Sequence, residues 1–111
     1  MVIEEVRQGA VTVLKPVGPL SQDDAAQFKQ DALEVLGRSL GRFVVDASAI
    51  PFVDSKGLEA MVDVAEAMSQ SGQALKLCAI SETLREVLDL TNLMTRFESY
   101  EDANAAVRSF L

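Results

Sequence analysis

Apolar and polar positions follow two rhythms along this chain, and each change of rhythm marks an element. Val2 to Arg7 and Ala10 to Val17 are two short β-prone runs separated around Gln8-Gly9, where Gly9 supplies a turn, so together they predict a hairpin. Phe43-Val44-Val45 is a continuous aromatic and β-branched run ending at Asp46, the pattern of a strand buried on both faces. Ala74 to Ile80 and Leu93 to Phe97 predict two further strands. Between these runs the spacing changes to three and four. Ala25, Phe28, Ala32, Val35 and Leu36 form one stripe; Leu58, Met61, Val62, Ala65 and Met68 form a second. Leu84, Val87 and Leu88 line a short third helix, and Tyr100 to Phe110 is a terminal one with Ala103, Ala106, Val107 and Phe110 on one face.

Punctuation residues support these boundaries. Ser21 with Asp24 three residues later has the form of a capping box opening the first helix, and Gly37 to Gly41 bring that helix to a stop. Ser71-Gly72 ends the second helix, Ser81 caps the third, and Thr91-Asn92 breaks it. The resulting order is ββαβαβαβα. A hairpin followed by alternating strands and helices predicts an α/β fold: a mixed, mostly parallel sheet flanked by about four helices, with right-handed crossovers. With 111 residues, 49% of them apolar, the chain has enough material to bury a core and is expected to be a single domain over 1–111.

The formal charge is −7 and the ten Lys and Arg residues are scattered, so the field around the chain repels phosphate backbones and anionic lipid. Nucleic acid is not an expected partner. Nor is direct membrane insertion, since no apolar run approaches the roughly 20 residues that span a bilayer and the N-terminus lacks the blocks of a signal peptide. The single cysteine, Cys78, excludes an internal disulfide and suits a reducing cytoplasm.

Most enzymatic constellations fail on composition. There is no histidine, which removes Ser-His-Asp and Cys-His chemistry together with the commonest transition-metal ligand. One cysteine builds neither a CxxC pair nor a thiolate zinc site, and no glycine-rich phosphate loop occurs. The acidic pairs Glu4-Glu5, Asp23-Asp24 and Glu101-Asp102 read as solvated faces and helix first turns rather than acid–base machinery. No catalytic residue, metal site or cofactor is expected.

What remains is the junction Ile50-Pro51-Phe52-Val53-Asp54-Ser55-Lys56-Gly57-Leu58, between the Phe43–Asp46 strand and the second helix. Pro51 breaks regular structure, and Asp54 and Ser55 are both residue types that cap helix N-termini, so Ser55 is expected at the start of the helix or one residue inside it. Two readings of Ser55 stand side by side. One is a capping hydroxyl, or simply a small residue at a first turn, which local sequence alone favours. The other is a phosphoacceptor, whose modification adds about −1.5 to −2 charges at a helix end where backbone N–H groups suit an anion.

Phe52-Val53-Asp54-Ser55-Lys56-Gly57-Leu58, preceded by Val44-Val45-Asp46 and followed by Leu75-Lys76-Leu77-Cys78-Ala79-Ile80-Ser81, resembles the STAS domain, and within it the single-domain anti-sigma factor antagonists. The Leu88-Asp89-Leu90-Thr91-Asn92-Leu93 stretch and the element order extend the resemblance over nearly the whole chain. It implies a non-enzymatic, cytoplasmic switch. Ser55 would be phosphorylated by an anti-sigma factor that is also a serine kinase, and a PP2C-type phosphatase would remove the phosphate. The unmodified form would bind the anti-sigma factor and free the sigma factor. Asp54 and Lys56 would then flank the switch in the partner-facing loop, Gly57 would be a point of close backbone approach, and Phe52, Val53 and Leu58 would border or support the interface. Asp46 matches a position at the end of the family's central strand where Asn or Asp is common. Two residues depart from the pattern: Lys56 stands where Ser or Thr is usual, and Asn92 where Gly is frequent. The same resemblance also implies an alternative, a constitutive STAS subunit of a lipid-transport ABC complex or a stress-signalling scaffold, docking a partner without a phosphate cycle.

Overall fold

A computed structural model describes residues 1–111. Strands β1 (Val2–Gln8) and β2 (Val11–Val17) form the expected hairpin, with Gly9 at φ 64° in the turn, a region of backbone space that favours glycine. Then follow α1 (Gln22–Ser39), β3 (Phe43–Asp46), α2 (Ser55–Ser69), β4 (Leu75–Cys78), α3 (Glu82–Leu90), β5 (Phe97–Tyr100) and α4 (Ala103–Arg108). This is the ββαβαβαβα order that the alternation of spacings predicts.

The five strands lie side by side in chain order, β1 antiparallel to β2 and every later neighbour parallel. Successive crossovers of one hand that each add the next strand on the same side must place their helices on one face of the sheet. The packing follows: Phe28 of α1, Met61 and Val64 of α2, and Leu84 and Leu88 of α3 share one core with Phe43 and Val45 of the sheet. The opposite face is covered by α4 alone, through Ala106 against Val11, Val44 and Cys78. The continuous apolar run of β3 now has its reason. Phe43 and Val45 point under three helices and Val44 under the fourth, and all three are buried.

Three expectations are corrected. The inward stripe of α2 is Ala60, Met61, Val64, Ala65 and Met68, while Leu58 and Val62 are only partly buried, because Gly57 rather than Leu58 faces the core. The last strand is Phe97–Tyr100 and not Leu93–Phe97. Leu93 and Met94 pack against the core from a turn and a 3-10 segment, Met94–Arg96, so burial of those two side chains needs no ladder. The terminal helix accordingly begins at Ala103, with the Asp102 carboxylate accepting from the Ala105 N–H at 2.7 Å. β4 stops at Cys78, short of Ile80, where Ala79 turns to φ 54°. Asn92 sits at φ 59°, a conformation that Asn tolerates better than most side chains and that accounts for Asn where a glycine is common.

Candidate functional site

The junction lies beyond the C-terminal end of β3, the end of an open parallel sheet at which loops gather into sites. Residues 47–54 do not hang free there. Ala47 donates its N–H to the Cys78 carbonyl at 2.9 Å, and Gly18 donates to the Ala49 carbonyl at 3.0 Å. Leu20 donates to the Phe52 carbonyl at 3.0 Å and accepts from the Asp54 N–H at 3.2 Å, with Leu20 and Val53 paired as a one-residue parallel bridge. Ile50 and Leu20 are buried beneath this ladder. Pro51 therefore sits in this loop without loosening it, because the Ala49 and Phe52 carbonyls on either side have found donors in the segment that leads into α1.

Ser55 is the first residue of α2 and Asp54 its N-cap, in extended conformation at φ −99° and ψ −175°. Ser55 thus falls one residue inside the helix, as expected, and it is not the capping hydroxyl, since the cap is the Asp54 carboxylate; its place is that of a small residue in the first turn. Its Oδ1 accepts from the Gly57 N–H at 2.8 Å. Its Oδ2 accepts, also at 2.8 Å, from the N–H of Gln22, the first residue of α1. One carboxylate closes the N-termini of two helices. Those bonds favour the ionised form, so the Gly57 N–H first, against a smaller opposing effect of desolvation, and then the Gln22 N–H hold the Asp54 carboxyl below its usual range.

The capping box expected at Ser21 is absent. Ser21 does occupy the N-cap position of α1, but its side chain makes no cap bond, and Asp24 instead pairs with the Met1 amine at 3.1 Å. Asp54 caps α1 in place of Ser21, through Gln22, which lies 32 residues away in sequence. Gln22 and Leu20 are the site residues that sequence reasoning missed. Both act through backbone groups, which leave no trace in side-chain type.

Gly57 is a point of close approach, and the approach is internal: a Cβ at this position would run into the Leu20 carbonyl well inside contact distance. Around this frame the remaining predicted residues divide. Phe52 and Lys56 are exposed with Ser55, Phe52 at 48%. Leu58 is partly buried against the core and supports the turn from below. The Lys56 ammonium lies 3.4 Å from Glu59 Oε2 on the same helix, so it has a partner already. Of the backbone N–H groups of the α2 terminus expected to suit an anion, that of Gly57 is committed to Asp54.

The cleft beside Ser55, between α1 and α2, holds about 150 Å³ over a floor of Ala25, Ala26 and Ala60, and a Lys29–Asp63 ion pair at 3.0 Å lies along it. That is below the roughly 300–1,000 Å³ of small-molecule sites. Larger hollows, of about 340 Å³ beside Arg7, Thr12 and Arg38 and about 440 Å³ beside Leu36, Leu40 and Gln73, do not include Ser55 or Asp54. No three His, Cys, Asp or Glu side chains converge as metal ligands. Cys78 is buried in β4, and burial, helped by Asp46 and Asp102, pushes its thiol up to about 12, away from nucleophilic use. Asp46 turns its carboxylate to the Ser48 N–H at 2.9 Å and so shapes the start of the loop. No helix is long and apolar enough to cross a membrane.

Comparison with known proteins agrees with this architecture. BtrV of Bordetella bronchiseptica, whose assignment as an anti-sigma factor antagonist is provisional, is 24% identical over 84% of this chain and 80% of its own length. A crystal structure from Thermotoga maritima, of a protein with the same provisional assignment, superposes with a TM-score of 0.87 at 24% identity, covering 96% of this chain and 92% of that one. The Bacillus cell fate determinant SpoIIAA in its phosphorylated form gives a TM-score of 0.71 at 15% identity, over 97% of this chain and 99% of that one. At these identities the solved structures speak to the fold. The STAS domain family model matches residues 2–106, and with a five-stranded mixed sheet, four helices and the Asp54-Ser55 junction at the start of α2, the chain belongs to the STAS domain family.

Proposed function

We propose that this protein is an anti-sigma factor antagonist whose grip on its partner is set by a phosphate on Ser55. The observation that carries the reading is an exposed serine at the first position of α2, on a loop pinned by backbone hydrogen bonds at Ala49, Phe52 and Asp54 and bordered by an exposed phenylalanine. A surface held this firmly loses little entropy on docking. In this reading the protein is a substrate and a ligand, not an enzyme, and works in the cytoplasm beside the sigma factor it controls. The anti-sigma factor's kinase activity moves the γ-phosphoryl of ATP to the Ser55 oxygen, the hydroxyl proton passing to a base of the kinase, and a PP2C-type phosphatase hydrolyses the ester.

Unmodified Ser55 sits flush with an interface in which Phe52 supplies an apolar anchor and Lys56 a rim charge. Phosphorylation puts about −1.5 to −2 charges next to the ionised Asp54. Desolvating two adjacent anions against a partner shaped for a hydroxyl costs several kcal/mol, and the complex is released. The test is intact mass of the protein from its native host with peptide mapping across Val53–Leu58, followed by affinity measurement of the Ser55 variants for the anti-sigma factor. Phosphate on Ser55, persistent binding by Ser55→Ala and at least about 100-fold weaker binding by Ser55→Asp are expected. An unmodified Ser55 across growth and stress conditions, or equal binding by both variants, overturns the reading.

A further inference from the structure

Asp54 ties the first turn of α2 to the first turn of α1, and nothing in a simple steric or charge block at Ser55 requires that tie. We propose that Asp54 is a positioning residue that relays the charge state of Ser55 to the start of α1, so that Gln22 and Asp23 belong to the surface a partner reads. The proposal rests on Ser55 being the phosphoacceptor.

Each oxygen of the Asp54 carboxylate is committed to one amide, Oδ1 to Gly57 and Oδ2 to Gln22, both at 2.8 Å. The two oxygens are a rigid pair, so a force that displaces one displaces the other. A phosphate on Ser55 exerts such a force twice over. It repels the neighbouring carboxylate, and it competes for the first-turn amides of α2, where an anion is favoured. Lys56 is drawn off by Glu59 and is exposed, so it screens the repulsion only weakly. At α1 no second acceptor is in place for the Gln22 N–H, since Ser21 makes no cap bond and Asp54 Oδ2 is the side-chain oxygen that takes it. Gln22 and Asp23 are exposed, so the loosened turn lies at the surface beside Phe52 and Ser55. The backbone ladder from Leu20 to Phe52 and Asp54 keeps the two turns adjacent throughout.

The test needs neither kinase nor partner. Phosphoserine is installed at position 55 during synthesis, and amide exchange and chemical shifts are followed by NMR in the full chain. The expected result is a shifted Gln22 amide exchanging at least about tenfold faster than in the unmodified chain, with Val64 inside α2 unchanged. In an Asp54→Asn background, where a single acceptor oxygen cannot serve both helices, the same phosphate should leave Gln22 where that background already put it. If Asp54→Asn fails to fold, Gln22→Pro replaces it: Ser21 is already extended at φ −116° and ψ 179°, so proline at the first position of α1 is tolerated while the relaying N–H is deleted. In that variant the Asp23 amide should stop responding to the phosphate. A Gln22 amide indifferent to phosphate in the native background, or a response that survives Asp54→Asn or Gln22→Pro, overturns the relay. Affinity of the same phosphorylated chain for the anti-sigma factor separates the two readings. Weak binding with a silent Gln22 leaves the switch and removes the relay; a responsive Gln22 with unchanged binding removes the switch and, with it, the claim that a partner reads Gln22 and Asp23.

Discussion

The starts of α1 and α2 look alike as strings, Ser21-Gln-Asp-Asp24 and Asp54-Ser-Lys-Gly57, each a capping residue type followed by polar residues. In the folded chain they differ in kind. α2 is capped by its own Asp54, a local bond across three residues. α1 is capped by that same carboxylate from across the loop. The difference teaches that a capping residue advertises only a demand for donors. Which donors it receives is decided by what the sheet places beside it. Here parallel pairing of β2 with β3 brings both following helices to one edge, and the second oxygen of Asp54 accepts from the Gln22 N–H at 2.8 Å.

The strongest way to break this arrangement is through Gly57. Gly57→Val drives a branched side chain into the Leu20 carbonyl, and the loss is expected at about 3 kcal/mol or more, since backbone on the far side cannot yield as a side chain would. A urea titration measures it. Stability within about 0.5 kcal/mol of the native chain would mean that the two loops separate freely.

Next comes Asp54→Asn, which leaves one of two helices uncapped and should lower the melting temperature by several degrees. The same carboxylate gives the effect a pH signature. Its folded pKa lies below the ordinary 3.8, so its contribution is fully present above that value and is lost as pH falls through the lowered one. Acid titration of native and Asp54→Asn chains should therefore converge at the acid end and diverge toward neutrality; parallel curves would assign the stability elsewhere.

Smaller effects sharpen the contrast between helices. Ser81 caps α3 by accepting from the Leu84 N–H at 3.1 Å, so Ser81→Ala should cost about 1 kcal/mol in chemical denaturation. Ser21→Ala, at the equivalent position of α1, should stay within about 0.5 kcal/mol because its side chain makes no cap bond. A Ser21→Ala loss matching that of Ser81→Ala would show that the cap of α1 is local after all.

Legibility in the sequence tracked the range of the interaction. The paired runs around Gly9, the buried strand at Phe43–Val45, the cap at Ser81 and the helix start at Ser55 all depend on neighbours within a few residues, and they were readable. Where a side chain served a distant need the reading slipped. Leu93 and Met94 looked like a strand because they are apolar, yet their burial comes from the core above β5 and not from a ladder. Leu58 looked like a core position until the approach of Leu20 required glycine at the inward position before it.

The sequence by itself determined the element order, the α/β class and an exposed serine after an aspartate at a loop-to-helix junction, since spacing, turn chemistry and capping types are local and additive. Only the tertiary structure decided that the loop before Ser55 is laddered to Leu20, that Asp54 serves two helices, and that the Gly57 N–H of α2 is already taken by a carboxylate. The physical reason is that backbone amides carry no residue identity. A hydrogen bond between Gln22 and Asp54 exists only once the parallel sheet has brought residues far apart in sequence within 2.8 Å.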